Sequence, residues 1–461
     1  MKVDEFLGRS LYWQEQRFRG RSNVKSRLDW LLRTQYLPPA DIQAIQFEKL
    51  LLLIEHVYRT VPYYRQVMQE HDIMPNDFTS VNDIQKLPIL SRHLLHTKQG
   101  ELLSSEADHE TLQTNFSSGS TGIRAEFRQD LNFRSWMRAH QLRTYGWCSN
   151  WQLGQPFVLL WGSEIYWSYK KVVDQVENFL VNRREFNTFR LSDDLIQRFL
   201  QKLVRFEPVL VSTYTNAMHL IAREAERQRI RIPGLRAIQG TSEPLPPIVR
   251  DRLVAIFGCE VFDKYGSRET NIVSHESPQH EGMCIQAENV LVEFLTHDGQ
   301  PCQPGQTGRI VLTTLNNFSM PLIRYETSDL AAPLDGYCPS GIGLSRMTSV
   351  AGRLQDLIIS PDGDHIDAYF FSYLIMRFSD IHWFQVVQRW PDHLLIRLFA
   401  PNGLSVETHK QIVERIRHHT GYPFRIDFET LSSMPESSTG KFRLCVSELG
   451  YTRPIEYAPR T

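Results

Sequence analysis

Short apolar runs alternate with longer amphipathic segments between residues 157 and 263, and this rhythm constrains the fold more than any other feature of the 461-residue chain. The apolar runs are residues 157–161, 209–212, 237–238 and 260–263. The amphipathic segments, with apolar side chains at helical spacing, are residues 192–205, 214–228 and 245–257. Strands and helices that alternate in this way are typical of a layered α/β domain with a parallel sheet. We therefore predict an α/β protein.

Two further regions add strands of another kind and a second unit. Apolar and polar residues alternate with a period of two in residues 290–295 and 308–315, which predicts antiparallel strands in a smaller β-rich subdomain. After residue 352 short strand-like runs again flank helical segments, over a length typical of one domain. We predict a large N-terminal domain over residues 1–352 and a small α+β domain over residues 353–461.

Near the N-terminus, residues 40–72 carry apolar side chains at helical spacing. The pattern ends at Val61, and Pro62 follows it. We expect a long helix that ends here and is followed by a turn.

The charges of the chain are balanced, with 51 Lys and Arg residues against 52 Asp and Glu residues and a net charge of −1. This balance argues against binding of nucleic acid or of an anionic membrane surface. A basic stretch between Arg17 and Arg33 contains leucines at helical spacing, so we interpret it as the charged side of an amphipathic helix. No apolar run reaches the roughly 18 residues that span a bilayer, so membrane insertion is not expected.

Cysteine usage bears on location and on metal binding. The six cysteines are scattered without a C-x-x-C pair, and the first residues have no signal-peptide pattern, which predicts a cytoplasmic location.

His275, Glu276, His280 and Cys284 lie within ten positions, and residues of these types bind zinc. Their spacing fits no standard zinc finger, so a Zn²⁺ site and a polar surface loop both stay open as interpretations.

Two segments rich in glycine and small hydroxyl residues predict contacts with phosphate. Residues 116–122 read Phe-Ser-Ser-Gly-Ser-Thr-Gly, and residues 437–441 read Ser-Ser-Thr-Gly-Lys. Exposed backbone N–H groups and hydroxyls can bind phosphate oxygens, and glycine lets the main chain come close. The second segment is not a Walker-type loop, because Phe442 follows Lys441 and Pro435 stands at the position of the first glycine. We expect a nucleotide held from two parts of the chain.

Six ordered motifs, which include both segments, resemble the adenylate-forming superfamily of acyl- and aryl-CoA ligases, luciferases and peptide-synthetase adenylation domains. Within it, the sequence resembles the phenylacetate-CoA ligase and capsule-biosynthesis ligase-like branch. The motifs are Ser117-Ser118-Gly119-Ser120-Thr121-Gly122, Gly240-Thr241-Ser242-Glu243-Pro244, Tyr265-Gly266-Ser267-Arg268-Glu269, Arg324-Tyr325-Glu326-Thr327-Ser328-Asp329, Gly352-Arg353-Leu354-Gln355-Asp356 and residues 435–441.

The resemblance implies a role in ATP binding for the first four motifs. The first motif covers the β- and γ-phosphates, and the backbone of the second lies against adenine. In the third, Tyr265 packs on adenine and Glu269 binds Mg²⁺, which needs oxygen ligands beside the phosphates. In the fourth, Asp329 accepts hydrogen bonds from both ribose hydroxyls.

The last two motifs are implied to serve catalysis and movement. Arg353 reaches the ribose or a phosphate, and Gln355 with Asp356 forms the hinge of a mobile C-terminal domain. Lys441 is the catalytic lysine that this domain brings to the carboxylate and the α-phosphate.

The chain departs from the usual motifs at several positions. Arg124-Ala125 stands where the superfamily commonly has Pro-Lys. Glu326 replaces an arginine, and Ser328 replaces a glycine. At the hinge, Gln355 stands where an aspartate is usual.

The implied activity is ATP-dependent conversion of a small carboxylic acid to an acyl-adenylate, with pyrophosphate release and acyl transfer to the thiol of CoA. Transfer to an amine or to a carrier-protein thiol is an alternative, and a non-catalytic nucleotide-binding relative is another. The aromatic residues Tyr214, Trp161 and Trp147 are expected near the acid pocket and would suit an aryl acid. A homodimer is common among such relatives, and the oligomeric state of this chain stays open.

Overall fold

The computed structural model describes residues 3–116, 126–161, 172–188, 193–338, 340–353, 358–362, 365–366, 371, 374–375, 377–378, 380–433, 435 and 444–449. Its α-helices are α1 (Glu5–Phe18), α2 (Val24–Thr34), α3 (Pro39–Thr60), α4 (Pro62–Glu70), α5 (Arg92–Thr97), α6 (Leu131–Trp147), α7 (Val172–Leu180), α8 (Asp193–Phe206), α9 (Thr215–Gln228), α10 (Pro247–Phe257) and α11 (Val406–Thr420).

The strands are β1 (Gln113–Phe116), β2 (Glu126–Gln129), β3 (Phe157–Trp161), β4 (Arg183–Asn187), β5 (Leu210–Tyr214), β6 (Ala237–Thr241), β7 (Glu260–Ser267), β8 (Asn271–Glu276), β9 (Met283–Ile285), β10 (Val290–Leu295), β11 (Gly308–Thr314), β12 (Tyr325–Ala331), β13 (Pro333–Tyr337), β14 (Ser345–Met347), β15 (Gly352–Arg353), β16 (Ile358–Ile359), β17 (His365–Ile366), β18 (Trp383–Trp390), β19 (His393–Phe399), β20 (Arg425–Thr430) and β21 (Cys445–Ser447).

Within the described residues, the largest sheet has nine strands in the order β13-β14-β9-β8-β7-β6-β5-β3-β4. Strands β4, β3, β5, β6 and β7 are parallel, and β7, β8, β9, β14 and β13 are antiparallel neighbours. Every residue of β5 and β6 is buried, as expected for central parallel strands with both faces covered. The predicted α/β class is therefore confirmed.

Helices cover both faces of the parallel strands. On one face α8, α9 and α10 supply Leu203, Ile221 and Leu253, which join an apolar cluster with Val211 and Ile238 of the sheet. On the other face α6 packs over the sheet, and the residues of that cluster include Leu142, Tyr145, Phe157, Leu210 and Phe262. This layering exposes the carboxyl ends of β5, β6 and β7, where ligands bind in open α/β sheets.

A second sheet has the antiparallel order β10-β11-β12-β15. The strands β10 and β11 lie close to the bounds predicted from their period-two pattern. Strand β12 pairs with β15, so Asp329 lies in register with Arg353.

The C-terminal part has its own sheet, in the order β20-β19-β18-β21, and its own apolar cluster, which includes Phe384, Ile396, Ile412 and Phe424. A hydrogen bond of 2.7 Å joins this part to helix α9, from Nη1 of Arg223 to the carbonyl oxygen of Ile381. The division of the chain at residue 352 stays a prediction.

The predicted long N-terminal helix is present and ends where expected, but a second helix follows it in place of a longer turn. Helix α3 ends at Thr60, and α4 begins at Pro62 with only Val61 between them. Proline lacks the N–H that the first helical position does not need, and its fixed φ suits that position, so it begins a second helix here. No helix in the described part of the chain is both long enough and apolar enough to cross a membrane.

Candidate functional site

Tyr265 and Asp329 meet where β7 of the large sheet approaches β12 of the second sheet. The phenol of Tyr265 donates a hydrogen bond of 2.7 Å to Oδ2 of Asp329, across a sequence separation of 64 residues. Asp329 is buried, and its backbone pairs with Arg353 of β15. Three of the predicted motifs therefore converge at one place.

The backbone around Asp329 is shaped by its own strand. Ser328 has a φ of +67°, in the left-handed region that glycine adopts at little cost. The N–H of Asp329 donates to Oγ1 of Thr327 at 3.2 Å. The serine thus takes the conformation for which the superfamily motif commonly has glycine, and the register of Asp329 is preserved.

The two charged residues that flank β12's Tyr325 are both paired. The guanidinium of Arg324 donates to both carboxylate oxygens of Glu293, at 3.1 and 2.9 Å. Glu326, which replaces an arginine, accepts from Nη1 of Arg309 at 2.7 Å. Both ion pairs were missed in the sequence, where only the alternation of β10, β11 and β12 could have indicated them.

Glu269 lies just beyond the end of β7 and is buried. The phenol of Tyr325 donates a long hydrogen bond of 3.4 Å to Oε1 of Glu269. Burial and the neighbouring Glu269 carboxylate raise the pKa of Tyr325, so the phenol stays protonated and can only donate to that carboxylate. The carboxylate therefore combines a buried position with few partners, a suitable state for a ligand to a hard cation.

The loop that carries Glu269 is attached to the β1–β2 hairpin. Nε2 of Gln129 donates to the carbonyl oxygen of Arg268 at 2.8 Å, and Nη1 of Arg268 donates to the carbonyl oxygen of Phe116 at 3.5 Å. The predicted phosphate motif, Ser117 to Gly122, lies outside the described residues. Phe116, the last described residue before the motif, contacts Arg268, the neighbour of Glu269.

The predicted adenine motif follows β6 and is anchored on helix α9. Oε2 of Glu243 accepts a hydrogen bond of 2.9 Å from the N–H of Asn216, in the first turn of α9. The side chain of Tyr214, the N-cap of this helix, does not cap the first turn with a hydrogen bond. Glu243 therefore caps α9 from another loop, where the helix dipole favours a carboxylate. The preceding Ser242 has a φ of +68° and turns the chain.

Gly266, within the third motif, is required by a close backbone approach. A Cβ atom at this position would lie 2.3 Å from the carbonyl oxygen of Asn271 on the antiparallel strand β8. Any side chain would separate β7 from β8 and displace the neighbouring Tyr265.

The structure brings together two of the three aromatic residues predicted for the acid pocket. The rings of Trp161 and Tyr214, at the carboxyl ends of β3 and β5, lie 4.7 Å apart between centroids. Trp147 instead lies in an apolar cluster with Cys284 and Cys338, and its Nε1 donates to Oε1 of Gln35 at 3.1 Å. Its contacts are those of a core residue.

The zinc interpretation of His275, His280 and Cys284 receives no support. His275 is buried on β8, with Nδ1 2.7 Å from the carbonyl oxygen of Glu276 and Nε2 2.9 Å from Nε2 of Gln239. Both ring nitrogens are thus already engaged, and burial lowers the pKa of His275 to about 4. The described residues contain no group of three or more His, Cys, Asp or Glu side chains that could hold a metal ion.

The alternative of a polar surface loop was also wrong for part of this segment. His275 and Cys284 are fully buried and pair in register between β8 and β9. His280 is the member that remains on the surface, 3.4 Å from Oε2 of Glu276.

Several predicted residues cannot be placed in the site. Gln355, Asp356 and Lys441 lie outside the described residues, as does the phosphate motif. Arg353 is placed as a backbone partner of Asp329. The catalytic and hinge roles of these residues stay predictions.

Comparisons with known proteins agree with this geometry. Residues 358–448 match the family model of the CapK C-terminal domain. The chain is 25% identical to a phenylacetate-coenzyme A ligase of Thermus thermophilus over 333 residues, 70% of this chain and 73% of that one. It is 22% identical to the protein CapK of Staphylococcus aureus over 295 residues, 62% of this chain and 61% of that one.

Among solved structures, 2-hydroxyisobutyryl-CoA ligase in its postadenylation state aligns with a TM-score of 0.76 at 18% identity, over 90% of this chain and 91% of that one. The chain therefore has the fold of the adenylate-forming ligases. Within that class its homologues are phenylacetate-CoA ligases and CapK. The resemblance predicted from the six motifs is confirmed.

Proposed function

We propose that this protein is an AMP-forming carboxylate–CoA ligase. It would activate a carboxylic acid with ATP to an acyl-adenylate, release pyrophosphate and pass the acyl group to the thiol of CoA. The observation that carries this proposal is the 2.7 Å hydrogen bond from Tyr265 to Asp329, with the buried Glu269 following at the carboxyl end of β7. The CoA-ligase names of the homologues support the reaction type.

The chemistry explains why these residue types are needed. A carboxylate is a poor acyl donor, and displacement of pyrophosphate at the α-phosphorus of ATP turns it into a mixed anhydride with a good leaving group. Because both reactants are anions, the step needs alignment and charge neutralisation more than proton transfer. Mg²⁺, when bound, supplies part of that neutralisation, and Glu269 is the carboxylate that would hold it.

Each remaining residue then has a defined task. Asp329 would accept hydrogen bonds from the ribose hydroxyls, and Tyr265 would hold Asp329 and pack its ring on adenine. Lys441 would bind the reacting carboxylate and the α-phosphate oxygens, while Arg353 would reach the ribose or phosphate. The C-terminal part would turn at Gln355 and Asp356 so that one cleft serves both half-reactions.

The acid itself would enter beside Trp161 and Tyr214, whose 4.7 Å ring contact supports a flat or aromatic substrate. The decisive experiment incubates the protein with ATP, Mg²⁺ and a panel of aliphatic and aryl acids, and measures pyrophosphate release. Mass spectrometry of the products with CoA then identifies the acyl acceptor. Release that depends on one acid, together with its acyl-CoA, is expected. Release without acyl-CoA would redirect the second step to an amine or a carrier protein, and absence of release across the panel would contradict the proposal.

A further inference from the structure

Lys264 lies on β7, one residue before Tyr265. Within the part of the chain that the structure describes, Lys264 makes no side-chain hydrogen bond and no ion pair. It still keeps part of its surface accessible to solvent. Protein surrounds it on the other sides, and this burial lowers its pKa to about 8. The side chain is therefore largely enclosed by protein and is still reached by solvent.

The sheet register places Lys264 in the same row as the predicted acid pocket. Lys264 pairs with Thr241 of β6, which pairs with Tyr214 of β5. Tyr214 in turn contacts the ring of Trp161. Residues in register on adjacent parallel strands point to the same face of a sheet. Lys264 thus lies on the face of Trp161 and Tyr214, which α6 covers.

The alternation of side chains separates Lys264 from the proposed nucleotide contacts. Successive residues of a strand point to opposite faces, so Lys264 leaves β7 on the side away from Tyr265. Asp329, which Tyr265 contacts, is on that other side. The ammonium is therefore placed to meet the body of an acid substrate, away from the carboxylate that reacts with ATP.

The nearby side chains do not neutralise this charge. Burial raises the pKa of Cys148, so its thiol stays uncharged, and burial lowers the pKa of His275 to about 4, so its ring is neutral at pH 7. A buried charge without a partner is costly to a folded protein. A ligand of opposite charge beside Lys264 would remove this free-energy cost.

We propose that Lys264 binds a second negatively charged group on the acid substrate, so that the preferred substrate is a dicarboxylic acid or a carboxylic acid with another anionic group. This inference rests on the proposed function, because it takes the pocket of Trp161 and Tyr214 to be the acid pocket. Lys264 is thereby a specificity-determining residue, with no role in the chemistry at the reacting carboxylate.

The test compares matched acids on three proteins. Butyrate with succinate, and phenylacetate with 4-carboxyphenylacetate, are titrated by calorimetry into the wild-type protein and the variants Lys264→Met and Lys264→Arg without nucleotide. A hydrogen-bonded charge pair corresponds to about 10- to 100-fold in affinity. We expect the wild type to prefer the diacid of at least one pair by that factor, Lys264→Met to lose the preference, and Lys264→Arg to retain part of it. Equal preference in the wild type and Lys264→Met, or no preference in either pair, would overturn the inference.

Two further measurements separate this inference from its alternatives. If Lys264 were only structural, Lys264→Met would lower the melting temperature, whereas loss of an unpaired buried charge should raise it or leave it unchanged. Pyrophosphate release is then assayed with the same acids. Diacid preference that depends on Lys264, without pyrophosphate release, would support the pocket and contradict adenylation. Release with no dependence of the preference on Lys264 would support adenylation and contradict the pocket.

Discussion

Tyr265 holds Asp329 through a hydrogen bond of 2.7 Å, so two residues 64 positions apart form one unit at the edge of two sheets. The phenol is the donor, and Oδ2 of the Asp329 carboxylate is the acceptor. The proposed ribose contact therefore depends on a tyrosine whose ring is assigned to adenine.

This relationship predicts the effect of Tyr265→Phe. The ring is retained and the hydrogen bond to Asp329 is lost, so the KM for ATP should rise about 10- to 100-fold, because a hydrogen bond to a charged group contributes roughly 1.5–3 kcal/mol. Initial rates of pyrophosphate release at varied ATP concentration measure the change. Tyr337→Phe is the matched control, since Tyr337 is half-exposed on β13 and should leave the KM unaltered.

Lys441→Ala should abolish acid-dependent pyrophosphate release while ATP binding largely persists. A cation that acts where charge reorganises contributes orders of magnitude in rate. Rates and nucleotide titrations of the same preparation separate the two effects. Lys410→Ala removes an exposed lysine of the same C-terminal part and should retain wild-type rates. Unchanged release in Lys441→Ala would refute its catalytic assignment.

The adenine motif predicts a graded result at Glu243. Glu243→Ala removes the cap of α9, which costs about 1 kcal/mol of stability and frees the loop after β6. Glu243→Gln keeps an acceptor for the N–H of Asn216. We expect the KM for ATP to rise more in Glu243→Ala than in Glu243→Gln, with the kcat of both less affected. The same KM for both variants would show that the helix cap does not position this loop.

The buried pair of Arg143 and Glu288 predicts a stability effect with a defined pH dependence. Nη1 of Arg143 lies 2.7 Å from Oε1 of Glu288, and both side chains are buried. Glu288→Gln leaves the guanidinium without its counter-charge and should lower the free energy of unfolding by about 3–5 kcal/mol. Urea unfolding at pH 7 measures this, and the double variant Arg143→Met with Glu288→Met should lose less than the single one.

The sign of the pH effect follows from the carboxyl group. Burial opposes ionisation of Glu288, but Arg143 outweighs it and lowers the pKa to about 2. Because the pKa of Glu288 is lower in the folded protein than its ordinary value of 4.5, the ionised carboxylate stabilises the folded state above pH 4.5. This contribution is lost as the pH falls towards 2. The difference in unfolding free energy between wild type and Glu288→Gln should therefore shrink below pH 4.5. A difference that grows in acid would contradict this assignment.

The sequence predicted those features that depend on local pattern. The alternation of strands and helices from β3 to β7 follows from apolar periodicity, and β10 and β11 followed from a period of two. The segment after Pro62 was misinterpreted as a turn, because proline interrupts the interior of a helix but also suits the first position of a new one. His275 was misread because a strand with polar residues can be buried when its side chains find partners elsewhere in the fold.

The site was predicted through its motifs, and its internal contacts were not. The cross-strand pair of Arg309 with Glu326 and the cap of α9 by Glu243 depend on register and on packing between distant segments. No local pattern encodes those distances. Lys264 belongs to no motif, and its position relative to Tyr214 is known only from the register of the three strands β5, β6 and β7.

Helix α9 is held at its first turn by Glu243 and, two turns later, donates through Arg223 to Ile381 of the C-terminal part. An α-helix transmits a small displacement along its length with little bending. A shift of the loop proposed to contact adenine would therefore alter the contact between Arg223 and Ile381, and loss of that contact would alter the position of the loop. By linkage, the loop position and the Arg223–Ile381 contact would influence each other equally in both directions. Helix α9 would thereby couple the two proposed half-reactions.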